Sequence, residues 1–137
     1  MGIDEGSQSA KITIFDTVGS IVCEAREPLR PYDLPKPGYV EHPDNDWWDP
    51  ICKASKKCMD KFEGDPKDIL GIGLCTIRCC RAYLKEDGTL AQPALSWMDI
   101  RVSQPYEHVN PDVKYIVASS GYITHRLTGE RKDTVAN

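Results

Sequence analysis

The chain has 137 residues with 17 basic and 21 acidic side chains, a net charge of −4, and no basic block to follow a phosphate backbone, which argues against a nucleic-acid partner. Its 6 cysteines fall well short of the roughly 8–10% that marks a disulfide-framed secreted scaffold. No apolar run nears the roughly 20 residues that span a bilayer, and Met1-Gly2-Ile3-Asp4-Glu5-Gly6 lacks a secretory leader's basic and apolar regions, so a soluble, cytoplasmic chain with no membrane association is expected.

Leu, Ile, Val and Phe number 29 of 137, barely above the roughly 20% at which chains stop folding for want of apolar area, so the expectation is one lean domain or part of one. Ile3 stands alone before the turn Asp4-Glu5-Gly6-Ser7, which makes any first strand very short. Ala10 to Asp16 alternates apolar and polar side chains, Thr17-Val18-Gly19-Ser20 turns the chain, and Ile21 to Arg26 forms a second strand-like run. Residues 28 to 43 hold five prolines and predict a connector in which Tyr39-Val40-Glu41 pairs briefly. Asp44-Asn45 can cap a helix with an inner face at Trp48, Ile51, Cys52, Ser55, Met59 and Phe62, closed by Gly64. Asp68 to Ile77 is apolar and glycine-bearing, which predicts a strand buried on both faces and closely approached by another backbone. Arg81 to Leu84 and Ala94 to Trp97 read as strands, and Tyr115 to Leu127 as a helix closed by Thr128-Gly129-Glu130. This order indicates a mixed α/β sheet.

The first turn, Asp4 through Lys11, gathers a carboxylate, a flexible glycine, two hydroxyls, an amide and an ammonium. Such a turn can hold phosphate oxygens on N–H and O–H groups, a hydrated Mg²⁺ on the carboxylate, and negative charge on the lysine; the alternative is an ordinary polar hairpin turn. Gly71-Ile72-Gly73 lacks the third glycine and following helix of a dinucleotide fingerprint and reads as packing. Cys75, Cys79 and Cys80 lack zinc spacing and read, with Cys23, Cys52 and Cys58, as unmetallated thiols. Arg78 and Arg81 follow one apolar run as Asp99 and Arg101 follow another, which fits either a polyol-binding crevice at strand ends or a plain Arg–Asp ion pair. Trp47-Trp48 reads as a helix anchor rather than a sugar-stacking platform.

These residues resemble the FGGY family of carbohydrate kinases. Ile3-Asp4-Glu5-Gly6-Ser7-Gln8-Ser9-Ala10-Lys11 with Ile14-Phe15-Asp16 is similar to the family's opening phosphate-loop hairpin. Pro37-Gly38-Tyr39-Val40-Glu41-His42 with Trp47-Trp48, then Asp68 to Gly73, Ser96 to Arg101 and Tyr122 to Glu130, match further blocks in order. The resemblance implies a ribonuclease-H-like, actin-like ATPase fold with an incomplete mixed sheet, residues 1–137 being part of an N-terminal domain with a shortened segment at 102–121.

The resemblance further implies ATP and Mg²⁺ as cofactors and a small sugar or polyol as substrate. Asp4 would help place the metal, with Gly6, Ser7, Gln8, Ser9 and Lys11 lining the ATP phosphates. Ile77 and Arg78 hold the positions of the sugar-contacting pair, Trp97 and Asp99 would lie near the acceptor, and Cys79 stands where glycerol-type enzymes carry a glutamate, which argues against a glycerol-like acceptor. The general-base aspartate and the adenosine site are expected beyond Asn137, and several apolar first-strand residues ahead of Gly2, so no catalytic base falls within the chain. Two readings follow: the N-terminal portion of an ATP-dependent sugar or polyol kinase, or a non-catalytic remnant or small binding module that keeps the fold.

Overall fold

A computed structural model describes residues 1–133, and these group into two compact units, Met1–Leu29 with Trp47–Thr76, and Arg30–Asp46 with the residues from Ile77 onward. In the first unit, β1 (Gly2–Glu5), β2 (Ser9–Phe15) and β3 (Ile21–Pro28) form an antiparallel run, and β5 (Gly73–Thr76) joins β1 in parallel. The strand order is β3-β2-β1-β5. The predicted hairpin is thus present, and Asp16 closes its turn by accepting from the N–H groups of Val18 and Ser20.

Strand alternation gives this sheet two unlike faces. Ala10, Ile12 and Ile14 are buried, and their register partners on β3 are Glu27, Ala25 and Cys23. Helix α1 (Asp49–Met59) packs over that face: Cys58 meets Cys23, and Lys57 Nζ pairs with Glu27 at 2.5 Å. The buried residues of α1 are Pro50, Ile51, Ala54 and Cys58, all small or compact, which lets the helix lie close on the strands. Trp47 is buried just ahead of it, as an anchor should be.

Three expectations need correction here. The helix begins at Asp49, not after Asp44-Asn45, because Asn45 takes a left-handed φ of 58° and the carboxylate of Asp46 is already held by Arg30; Pro50 in the first turn then suits a helix start. Its inner face is rotated by about one position, and Cys52 is exposed. The strand expected across Asp68 to Ile77 shrinks to Gly73–Thr76, an edge strand with β1 as its sheet neighbour, and Leu70 is 90% exposed. Nothing lies within 4 Å of where a Cβ would stand on Gly71 or Gly73, so neither glycine is required by crowding on its side-chain side; the backbone that meets them is Met1, which donates to the Gly71 carbonyl and accepts from Gly73 N–H, each at 2.9 Å.

In the second unit, β4 (Glu41–His42) pairs with β7 (Ala94–Leu95), and β6 (Ala82–Leu84) with β8 (Tyr115–Val117). Tyr83, Leu95 and Val113 form one cluster of its core, with Ala91, Val102 and Tyr106 packed against them, and Leu84, Tyr122 and Ile123 are buried as well. The stretch expected to be one helix from Tyr115 divides, because β-branched Ile116 and Val117 join β8 and α2 starts only at Ser119, running to Thr128. Gly129 closes α2 in the left-handed conformation, donating to the His125 carbonyl at 2.8 Å. No helix among the described residues is long and apolar enough to cross a membrane.

Candidate functional site

The residues assigned to phosphate and metal all fall in the first unit. Asp4 on β1 is in register with Lys11 on β2 and with Cys75 on β5, and Lys11 is in register with Arg26 on β3. Because register partners share a face, Cys75, Asp4, Lys11 and Arg26 make one row on the side of the sheet opposite α1. A depression of about 410 Å³ opens there, lined by Gly2, Asp4, Lys11, Thr13, Gly73 and Cys75. Lys11 Nζ is held at 2.8 Å from Glu24, and Asp4 is exposed.

The turn that joins these strands is tight. Gly6 N–H donates to the Ser9 carbonyl at 3.0 Å, Leu29 N–H donates to the Gln8 carbonyl at 2.9 Å, and Arg26 Nε donates to Ser9 Oγ at 2.7 Å. Gln8 is exposed at its tip. Glu24 and Arg26, which sequence reasoning did not select, position Lys11 and Ser9 from the neighbouring strand. The turn at 16–20 alone would set Ala25 opposite Lys11; a bulge at Ile14/Phe15 shifts the register by one residue and brings Arg26 there, so the turn by itself did not point to it. An exposed carboxylate between a polar turn and an ammonium suits a hydrated hard cation, which takes one or two carboxylate oxygens and keeps its remaining waters; the residues present fit Mg²⁺.

The residues assigned to the acceptor fall in the second unit. Ile77 offers its carbonyl to Ser119 Oγ at 2.5 Å, Arg78 is exposed, and Trp97 is 51% exposed. Cys79, also exposed, sits in the left-handed region at φ 61°, uncommon for a residue with a Cβ. Asp99 differs from these: it is buried, and its carboxylate is used within the fold. Oδ2 accepts from Val40 N–H at 2.7 Å and from Arg101 Nη2 at 2.6 Å, and Oδ1 accepts from Arg101 N–H at 2.8 Å and Arg101 Nε at 2.9 Å.

Arg101 also reaches Glu41 Oε1 at 2.7 Å and lies 3.8 Å over the Tyr39 ring. Ile100 N–H donates to the Gly38 carbonyl and Ser96 N–H to the Val40 carbonyl, each at 3.0 Å. The Pro37–Glu41 segment and the Ser96–Arg101 segment are therefore clasped to each other, a link that sequence reasoning missed. Gly38 fits this clasp at φ 81°, and a Cβ there would lie 3.1 Å from Ile100. Arg81 donates to the carbonyls of Arg101, Val102 and Gln104, so Arg81 and Arg101 of the expected crevice serve to shape this loop.

Burial would push the Asp99 carboxyl up, but hydrogen bonds from Arg101 and Val40 outweigh it and hold it below the usual aspartate range. Asp46 behaves alike, burial being outweighed by His42 and Arg30. A carboxyl lowered in the fold contributes stability that is complete above its unfolded value, near 4, and lost as pH falls through the folded value. Thermal unfolding followed from about pH 5 to about pH 2 should show a falling midpoint, with Asp99→Asn losing less across that window than the parent. A parent midpoint that stays flat would contradict this.

A model of the N-terminal domain of the FGGY family of carbohydrate kinases matches residues 1–128. The chain belongs to this family. Among curated relatives, this FGGY chain is 54% identical over 137 residues to the "Uncharacterized sugar kinase YgcE" of Escherichia coli strain K12, covering 100% of the chain and 28% of the relative. It is 34% identical over 132 residues to a glycerol kinase of Ligilactobacillus salivarius strain UCC118, covering 94% of the chain and 24% of that protein. The crystal structure of gluconate kinase from Lactobacillus acidophilus superposes with a TM-score of 0.80 at 17% identity, over 95% of this chain and 33% of that one. The FGGY chain thus spans about a quarter of the length of these curated relatives. Its fold is the mixed α/β, ribonuclease-H-like and actin-like fold of the family, incomplete: the order β3-β2-β1-β5 carries three antiparallel strands and a fourth in parallel.

Proposed function

We propose that this chain supplies the phosphate-binding and acceptor-binding part of an ATP- and Mg²⁺-dependent kinase for a small sugar or polyol. The observation that carries the reading is the row Asp4, Lys11, Arg26 on the open face beside the Gly6–Ser9 turn, in a chain whose family is that of carbohydrate kinases. Lys11 meets charge on the ATP phosphates, Gly6, Ser7, Gln8 and Ser9 line them, and Glu24 and Arg26 hold Lys11 and Ser9 in place. Bound Mg²⁺ would neutralise phosphate charge beside Asp4, whose carboxylate orients its water shell.

On the acceptor side, Ile77, Arg78 and Trp97 face the sugar, and Asp99 acts by fixing the loop that carries Trp97. With little covalent chemistry for the protein to do, positioning and charge neutralisation are the main contributions to rate. Cys79 in place of a carboxylate favours an acceptor other than glycerol.

The test is an assay of ADP release by the kinase that carries this chain as its N-terminal part, across a panel of sugars and polyols. Release dependent on one of them is expected, with Lys11→Met weakening ATP use about tenfold or more, in line with the loss of one charge-assisted hydrogen bond. Release unchanged by Lys11→Met would contradict the assignment of the open face.

A further inference from the structure

We propose that Cys23 and Cys58 are a modification site, a thiol pair that closes into a disulfide between β3 and α1 when the protein meets a hydroperoxide. The two Sγ atoms already lie 3.5 Å apart. Each thiol also faces the other residue's carbonyl, Cys23 Sγ at 3.5 Å from the Cys58 oxygen and Cys58 Sγ at 3.7 Å from the Cys23 oxygen. A disulfide needs the sulfurs to close to about 2.05 Å, a movement that side-chain rotation and a small helix shift can supply.

Neighbouring contacts hold the pair in this register. Lys57 Nζ pairs with Glu27, and Lys61 Nζ donates to the Glu24 carbonyl at 2.8 Å, one on each side of Cys58. Ile51 and Ala54 bury the same face of α1 against the sheet. The thiols of the pair are therefore brought together by packing that does not depend on their chemistry.

Unequal exposure sets the order of events. Cys23 is half-buried and Cys58 fully buried. Burial first, and then Cys23 itself, push the Cys58 thiol up to about 11, which keeps Cys58 protonated and inert to a peroxide in solution. Cys23 reacts first: its sulfur attacks one peroxide oxygen, the O–O bond breaks, the sulfur becomes a sulfenic acid, and the released hydroxide takes the thiol proton as water. The Cys58 sulfur then attacks the Cys23 sulfur, the S–O bond breaks, and the departing hydroxide leaves as a second water with the Cys58 proton. Two thiols and one hydrogen peroxide give one disulfide and two waters, the sulfurs losing the two electrons that reduce the peroxide; an organic hydroperoxide would give an alcohol in place of the first water.

The closed bond would link residues 35 apart in sequence and staple the helix to the hairpin, constraining the unfolded chain more than the folded one. The test treats the native protein with stoichiometric hydrogen peroxide, blocks the remaining thiols with iodoacetamide and maps the tryptic peptides without reductant. The expected product joins the Cys23 and Cys58 peptides, lighter than their sum by two hydrogens, and the thermal midpoint rises and returns on reduction. Cys23→Ser should abolish both the link and the midpoint shift. Recovery of the two peptides unlinked, a link that forms only in denaturant, or a midpoint unmoved by the link would each overturn the proposal.

Discussion

Ile12→Ala is expected to destabilise the protein by about 2–5 kcal/mol, the range for truncating a fully buried Ile or Leu. Ile12 is 0% exposed at the middle of β2, in register with Ile3 on β1 and Ala25 on β3, on the face that α1 covers. Every neighbour is itself fixed by backbone pairing or by the helix, so the site cannot collapse into the space left behind. The lean apolar content of the chain makes that loss a large share of an ordinary domain stability of about 5–15 kcal/mol. Denaturant titration checks it, and a change below about 1 kcal/mol would show that the sheet face is not the core described.

The second large effect is expected at Asp99. Replacing Asp99 by Ala removes an acceptor from Val40 N–H and two side-chain hydrogen bonds from Arg101. Breaking a buried pair costs about 3–5 kcal/mol when the surviving charge is stranded. Arg101 keeps Glu41 and the Tyr39 ring and is partly exposed, so about 3 kcal/mol is the expected loss. Asp99→Asn should cost less, because it keeps an acceptor for Val40. Equal stability of the Ala variant and the parent, read by denaturant titration, would mean that the clasp contributes nothing.

The sequence made some of this legible and left the rest hidden for identifiable physical reasons. Alternation over Ala10 to Ile14 and the turn at 16–20 specify the hairpin, whereas the row that holds Asp4, Lys11 and Arg26 also depends on a bulge at Ile14/Phe15 that shifts the register by one residue. The start of α1 was hidden because Asp44 and Asn45 are good caps in any context, while their actual conformation depends on a left-handed Asn45 and on Arg30 holding Asp46. An apolar run such as Ile69 to Leu74 looks the same whether it is a doubly buried strand or, as here, an edge strand with exposed neighbours.

The fate of Asp99 was open for a different reason. Its spacing to Arg101 fits an ion pair and a polyol site equally, and only the long-range contact with Val40, 59 residues away in sequence, shows the pair in place. Glu41 and Tyr39 lie in the same position: their partner Arg101 is distant in sequence, and no local period points to it. Trp47 was readable as an anchor because two adjacent indoles before a helix need burial somewhere.

The central claim is that the open face beside the Gly6–Ser9 turn binds nucleotide phosphates. The most direct measurement is an amide NMR titration of the chain with ADP in the presence of Mg²⁺. Shifts centred on Asp4 through Lys11 and on Arg26, reduced in Lys11→Met, are the result predicted; shifts that leave those amides in place, or that persist undiminished in Lys11→Met, would contradict it.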